Sequence, residues 1–149
     1  MNGSNLLSRQ GHRLLQIGVA LFLFSSVEGF VIPYFPEPRL GLSVHTLSAL
    51  QGVILLALGL LWPKLNLGAS ALRIACWFFI YSTFATLVPY MLAAAWGAGN
   101  STIPLAAGAA RGTAVQETVI KVVLYTAAPT VLISLALILW GLRTKDEER

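Results

Sequence analysis

The sequence predicts an all-α membrane protein, a single domain in which four transmembrane helices form a bundle. The hydrophobic fraction of the 149 residues is 56% and the charged fraction is only 11%. A soluble domain carries roughly 25% charged residues, so water cannot wet this surface on all sides. A helix that spans a bilayer needs about 20 apolar residues. Four runs of suitable length follow one another along the chain.

Prolines and small residues set the bounds of the predicted helices. Three prolines within residues 33–38 cannot continue a helix, so they end the first one. Pro63 ends the second, with Ser43 as its expected N-cap, and a Gly-, Ala-, Ser- and Thr-rich loop precedes the fourth. A charged, frayed tail follows. Within a single membrane domain covering 1–149, the predicted helices span residues 14–32, 42–62, 69–96 and 114–142.

The basic residues predict the topology. They lie at the ends of apolar runs and form no patch interleaved with aromatic residues, which argues against nucleic-acid binding. Seven lie on one side and three on the other, so we expect an integral protein of a bacterial inner membrane with both termini in the cytoplasm. The first side holds Arg9, Arg13, Lys64, Arg73, Arg143, Lys145 and Arg149, and the second holds Arg39, Arg111 and Lys121.

Polar side chains inside apolar runs are the candidates for function, because lipid penalises them. Gln51 lies six residues deeper than His45, about 9 Å along the helix. Tyr90 lies at a similar depth on helix three, and Glu28 lies near the same end of helix one. We therefore expect one shared site in the outer half of the membrane. The full set is Glu28, His45, Gln51, Thr83, Thr86 and Tyr90.

Helical phase separates these candidates. Small residues, including Gly52 and Gly59, share the face of His45 and leave room for a large flat ligand or for a neighbouring helix. Gln51 lies about 120° from that face, so the two side chains diverge and could hold a substrate and a cofactor at different points. Thr83, Thr86 and Tyr90 share a face of helix three.

Each candidate also has a structural interpretation. His45 could be structural, Tyr90 could belong to an interfacial aromatic belt, and Gln51 could bond to another helix. Thr83 and Thr86 could bond back to their own helix. We interpret Glu28 as an outer-edge residue that reaches water. His12, outside the predicted helices, is interpreted as a solvated residue.

The run from Val44 to Gly52 resembles the start of helix two in the styrene oxide isomerases. These small membrane enzymes carry a histidine there, followed six residues later by an asparagine and then a glycine. The family also has a tyrosine on helix three, and its spacing matches His45 to Tyr90 without insertion. Further matches are the pairs Gly11-His12, Gly29-Phe30 and Ile32-Pro33.

The resemblance implies a homotrimer with haem b at the subunit interfaces. His45 would ligate the ferric iron, and Gln51 and Tyr90 would lie beside the substrate. The implied reaction belongs to styrene degradation: an aryl epoxide such as styrene oxide opens by Lewis-acid catalysis, and a 1,2-hydride shift gives the aldehyde (a Meinwald rearrangement). Such an enzyme is an intramolecular oxidoreductase, a type of isomerase. Three features depart from the family: Gln51 replaces asparagine, Glu28 replaces glycine, and the loop before His45 is shorter.

Two other functions stay open. A haem-binding electron-transfer or assembly subunit would use His45, but b-type haem of that kind usually needs two axial ligands. A small proton-coupled multidrug exporter would use Glu28 as its coupling carboxylate. The position of Glu28 near a helix end argues against the exporter, because such a carboxylate belongs near mid-membrane.

Overall fold

Four long helices make up most of the protein. The computed structural model describes residues 3–143, so Lys145, Arg149 and the predicted frayed tail lie outside the described residues. This part of the chain contains helices and turns but no strand. Single 3₁₀ turns cover Ile32–Tyr34 and Trp62–Lys64. The α-helices are α1 (Gly3–Glu28), α2 (Pro38–Leu61), α3 (Ala69–Trp96), the one-turn α4 (Pro104–Ala107) and α5 (Ala114–Gly141).

Three helices are long and apolar enough to cross a membrane, as an integral membrane protein requires. They are the segments Pro38–Lys64, Ala69–Trp96 and Ala114–Gly141. Helix α1 is not among them, so a fourth span stays a prediction. Large apolar side chains stand exposed on these helices, among them Leu60, Leu132 and Leu139. Such side chains are suited to lipid contact, because the described part of the chain leaves about two thirds or more of each exposed.

The helix bounds differ from the predictions at α1 and α2. Helix α1 begins at Gly3 and ends at Glu28, and the residues after it form a separate turn. Helix α2 begins at Pro38, because proline is favoured at the first helical position, where its missing N–H costs nothing. The predicted N-cap at Ser43 is therefore wrong. Its hydroxyl donates instead to the carbonyl of Arg39 at 3.0 Å.

Helices α1 and α2 pack at backbone contact through two pairs of glycines. A Cβ atom added to Gly18 would lie 2.9 Å from the carbonyl oxygen of Gly52, and one added to Gly59 would lie 2.9 Å from that of Gly11. Small residues let two helices approach this closely in a membrane protein. A neighbouring helix thus occupies the face of Gly52 and Gly59, and the alternative of a large flat ligand there is wrong.

Helices α3 and α5 form the second pair. The Ser134 hydroxyl donates to the carbonyl of Ala75 at 2.7 Å, and the hydroxyls of Tyr81 and Thr126 lie 2.7 Å apart. Helix α2 packs against α3 and so joins the two pairs. The contact between α2 and the second pair is where Gln51 lies.

The connection before α5 is held by one carboxylate. Glu117 accepts hydrogen bonds from the backbone N–H groups of Gly99, Ser101 and Gly112, at 2.7, 3.1 and 3.2 Å, and from the Ser101 hydroxyl. Thr113 begins α5 with a capping box. Four hydrogen bonds to one side chain order a connection that the sequence shows only as a loop.

Candidate functional site

His45 projects from α2 towards the end of α1. Its Nδ1 lies 3.0 Å from the carbonyl oxygen of Ser25, and the Ser25 hydroxyl donates to the carbonyl of His45 at 3.0 Å. A carbonyl oxygen can only accept, so Nδ1 carries the proton in this arrangement. The lone pair of the neutral ring is then on Nε2, which has no hydrogen-bond partner among residues 3–143. The side chain is 38% exposed, so Nε2 is available to a ligand.

Gly29 makes room for the imidazole ring. A Cβ atom at this position would lie 3.2 Å from Cε1 and 3.3 Å from Nδ1 of His45. These distances are shorter than ordinary contacts, so any larger residue would displace the ring. His45 is thus fixed in two ways, by the hydrogen bond that its Nδ1–H donates to the Ser25 carbonyl and by the close-fitting backbone at Gly29.

Glu28 is buried beside His45 and does not reach water. Its side chain is only 5% exposed, and Oε2 lies 3.6 Å from Nδ1 of His45. Neither carboxylate oxygen has a hydrogen-bond partner in the described part of the chain. The interpretation of Glu28 as a water-facing residue is therefore wrong. Glu28, the last residue of α1, is buried because α2 packs against this end of the helix. The sequence of α1 alone does not indicate this contact.

Gln51 faces away from His45, into a cavity of about 370 Å³ between α2, α3 and α5. Its Oε1 is buried and lacks a hydrogen-bond partner within residues 3–143. The hydroxyls of Thr83 and Thr86 also line the cavity, but they donate to carbonyls of their own helix at 3.0 and 2.9 Å. The structural interpretation of both threonines is confirmed. Gln51 Oε1 is thus a buried, unpartnered polar atom that a ligand in this cavity would meet, and Tyr125 also lines the cavity.

Tyr90 lies on a third side of α2. Its half-buried ring lines an open cavity of about 360 Å³ with the first turns of α2, including Ser43 and Thr46. Its hydroxyl makes no hydrogen bond to the described residues. A phenol hydroxyl can both donate and accept, so it is available to a bound molecule.

The predicted site residues do not share one cavity within a single chain. Successive residues of a helix turn by about 100°, so His45, Gln51 and the residues that face Tyr90 spread around α2. His45 and Gln51 diverge, as their phase indicates. The single shared site expected from depth alone is therefore not formed by one copy of the chain.

His12 lies within α1, because this helix extends back to Gly3 beyond its predicted start at residue 14, and its side chain is exposed, as its interpretation as a solvated residue requires. It lies on α1 sixteen residues before Glu28, which is about 24 Å along the helix from the level of His45. The two histidines cannot ligate one metal ion. No group of three or more His, Cys, Asp or Glu side chains in the described residues could hold a metal ion by itself.

Comparison with known proteins places this geometry in a family. The sequence profile described as styrene oxide isomerase matches residues 10–143. The hydroxylaminobenzene mutase HabB of Ectopseudomonas oleovorans is 46% identical over 137 residues, which cover 92% of this chain and 84% of that protein. The mutase HabA of the same organism is 35% identical over 129 residues, or 87% and 96% of the two chains. No solved structure matches significantly. The chain belongs to the styrene oxide isomerase family.

Proposed function

We propose that this protein is a haem-b-dependent membrane isomerase that rearranges small aromatic substrates with a weak bond to oxygen. The observation that carries the proposal is the arrangement of His45. Its Nδ1 is held by Ser25, while Nε2 is free and accessible. A metal-bound histidine usually donates its second ring N–H to a carbonyl or carboxylate in this way.

The residues fit haem better than a bare metal ion. His45 offers one nitrogen ligand and has Glu28 beside its other ring nitrogen, but the described chain brings together no group of three His, Cys, Asp or Glu that could complete a coordination sphere. A porphyrin brings four nitrogen ligands of its own. The segment that carries Glu28 and Gly29 also exposes large apolar side chains suited to a porphyrin face. They are Val27, Phe30, Val31 and Tyr34, with Phe30 and Tyr34 more than 80% exposed.

Hydroxylaminobenzene is the substrate that we propose first. The relatives named for its mutase are 46% and 35% identical to this chain. In such a reaction the N–O bond breaks and the oxygen joins a ring carbon, while that carbon loses its proton and the nitrogen gains one to become an amine. The product is an aminophenol with the same atoms, so no external oxidant or reductant is needed. An aryl epoxide such as styrene oxide is the second candidate, favoured by the family description.

Both substrates place the same demands on the chain. Bound ferric haem would supply a Lewis acid that weakens the bond to the substrate oxygen. The Gln51 amide and the Tyr90 hydroxyl would orient the substrate and hydrogen-bond to the oxygen as charge develops there. Apolar surroundings in the assembled site would exclude water, which would otherwise capture the electron-poor aryl intermediate. Gln51 is one methylene longer than the family's asparagine, which is consistent with a different substrate.

A homotrimer of four-span protomers would complete the site. His45, Gln51 and Tyr90 face different directions around α2, so one copy cannot enclose a ligand that touches all three. A haem group and its substrate at an interface would meet His45 of one copy, and Gln51 and Tyr90, which line separate cavities of one chain, would come from different copies. We therefore include the trimer and the membrane insertion of α1 in the proposal.

An electron-transfer or assembly role is less compatible with the structure. It would normally need a second axial ligand, and the other histidine of the chain is His12, about 24 Å away along α1. The exporter hypothesis also lacks support, because Glu28 is buried against His45 rather than set in an accessible pathway.

The test is a spectrum followed by product analysis. Protein purified in detergent from haem-replete cells should show a Soret band that His45→Ala removes and His12→Ala, the matched control, retains. The wild type should convert hydroxylaminobenzene to an aminophenol without added nicotinamide. Reduction of the iron should stop turnover reversibly, because Fe(II) is the weaker Lewis acid. A full Soret band in the His45 variant would refute the ligand assignment, and equal turnover in both oxidation states would refute Lewis-acid catalysis.

A further inference from the structure

A cavity of about 260 Å³ lies between the first turns of α1 and α3, far from His45. Three arginines line it: Arg9 and Arg13 come from α1 and Arg73 comes from α3. No acidic side chain of residues 3–143 belongs to its wall. Within residues 3–143, the one contact between a carboxylate and a basic side chain joins Glu28 to the His45 imidazole, so no carboxylate of that part neutralises the arginines. Three guanidinium groups around one cavity repel one another unless an anion lies between them.

The walls of this arginine cavity are held in place. Gln10 is buried behind the arginines, where its Oε1 accepts from Trp62 Nε1 at 3.0 Å and its Nε2 reaches the carbonyl of Leu72 at 3.4 Å. The Arg13 guanidinium lies 5.2 Å from the centre of the Trp77 ring, within the range of a cation–π contact. The cavity is thus preformed, and Arg13 is oriented before any ligand binds.

Its position indicates the kind of anion. Trp77 is 55% exposed at the edge of the cavity, where α3 passes from its first turns into its apolar part. Exposed tryptophans of membrane helices lie at the level of the lipid head groups. The planar guanidinium fork matches the oxygens of a phosphate, and basic pockets between such helices bind acidic lipid head groups. We propose that the arginine cavity binds the phosphate of an anionic phospholipid, with the acyl chains along Trp77.

The experiment compares thermal unfolding in two kinds of nanodisc, containing phosphatidylglycerol or phosphatidylcholine, with native mass spectrometry of the retained lipid. Phosphatidylglycerol should stabilise the full-length protein and remain bound. Each arginine replaced by glutamine should weaken its retention about fivefold, the equivalent of one near-surface charge. The variants Arg9→Gln, Arg13→Gln and Arg73→Gln are each scored by the difference between the two lipids. That difference remains informative even when a variant is less stable in both.

Arg143→Gln is the matched control. Arg143 also stacks on a tryptophan, at 4.4 Å from the Trp140 ring, but it does not line the arginine cavity. Its replacement should leave the lipid difference unchanged, and an equal loss in this variant would overturn the proposal in favour of a general charge effect. Deletion of residues 144–149 removes Asp146, Glu147 and Glu148, the nearest acidic residues in sequence to Arg143. If this deletion abolished the difference between the two lipids, the tail rather than the arginine cavity would determine that difference, and the proposal would be wrong.

Inorganic phosphate tests whether the cavity binds the phosphate of a lipid or free phosphate. Added to protein in phosphatidylcholine nanodiscs, it should not reproduce the stabilisation, because it lacks the acyl chains that Trp77 contacts. Equal stabilisation by phosphate alone would overturn the assignment to a lipid.

Discussion

Replacing Gly18 with alanine tests how His45 is held, because the glycine contacts set the distance between α1 and α2. The new Cβ would lie 2.9 Å from the Gly52 carbonyl oxygen and 3.1 Å from the Leu56 backbone nitrogen. Both are backbone atoms, so no side-chain rotation can relieve the clash. The helices must separate by about 0.5 Å, the difference between 2.9 Å and the 3.4 Å at which ordinary contact begins.

That separation should reach the candidate site. Ser25 lies two turns beyond Gly18 on the same helix, and its carbonyl is 3.0 Å from Nδ1 of His45. A uniform opening of 0.5 Å would stretch this contact to about 3.5 Å, beyond the range of an effective hydrogen bond. We expect a loss of about 1–3 kcal/mol in the free energy of unfolding, as for other overpacked positions. Haem should also dissociate faster.

Unfolding by sodium dodecyl sulfate and the decay of the Soret band measure the two effects. Gly68→Ala is the control, because a Cβ atom at Gly68 would meet nothing within 4 Å. If Gly18→Ala unfolded at the same detergent fraction as Gly68→Ala, the proposed backbone contact between α1 and α2 would be wrong. If it were destabilised but kept its haem normally, the link from this contact to His45 would be wrong.

Three further substitutions test the roles of single side chains. Tyr90→Phe should keep haem but lower turnover by about 10²–10³, the usual loss of one hydrogen-bond donor at a developing oxyanion, and an unchanged kcat would exclude Tyr90 from the site. Gln51→Asn should change the ratio of kcat/KM for styrene oxide and hydroxylaminobenzene while the Soret band stays constant; the same ratio in both proteins would contradict a role in substrate choice. Glu28→Gln should weaken haem binding about 10–100-fold, because the carboxylate beside Nδ1 makes the imidazole a stronger ligand. The transfer of haem to apomyoglobin measures this effect, and an unchanged transfer rate would show that Glu28 does not act through His45.

The sequence predicts the helical class well, because long apolar runs bounded by prolines have few other solutions. It predicts the ends of the helices less well, because polar residues outside an apolar run can also be helical. Residues 3–13 carry Arg, Gln and His, which continue α1 outside any apolar run, so hydropathy misses this extension. The sequence places Pro38 in a helix stop, although proline also suits a first helical turn, and here that second role applies.

Helical phase alone predicts the divergence of His45 and Gln51, since both lie on α2. What each side chain faces depends on how α2 packs against α1, α3 and α5, and no local pattern contains that information. For the same reason the burial of Glu28 and the role of Gly29 were missed. A glycine one residue after the carboxylate could have indicated a close approach at this point of the chain.

The paired glycines between α1 and α2 also bear on how the chain enters the membrane. Among the described residues, α2, α3 and α5 are long and apolar enough to cross a membrane, and α1 is the long helix that is not among them. Backbone contact at both Gly11–Gly59 and Gly18–Gly52 lets the two helices associate as a hairpin across the short connection at residues 29–37. We expect α1 to stay in the translocon until α2 has been synthesised, and the two helices then to enter the lipid together. Substitutions at these glycines would then reduce the yield of inserted protein more than they reduce the activity of the protein that does insert.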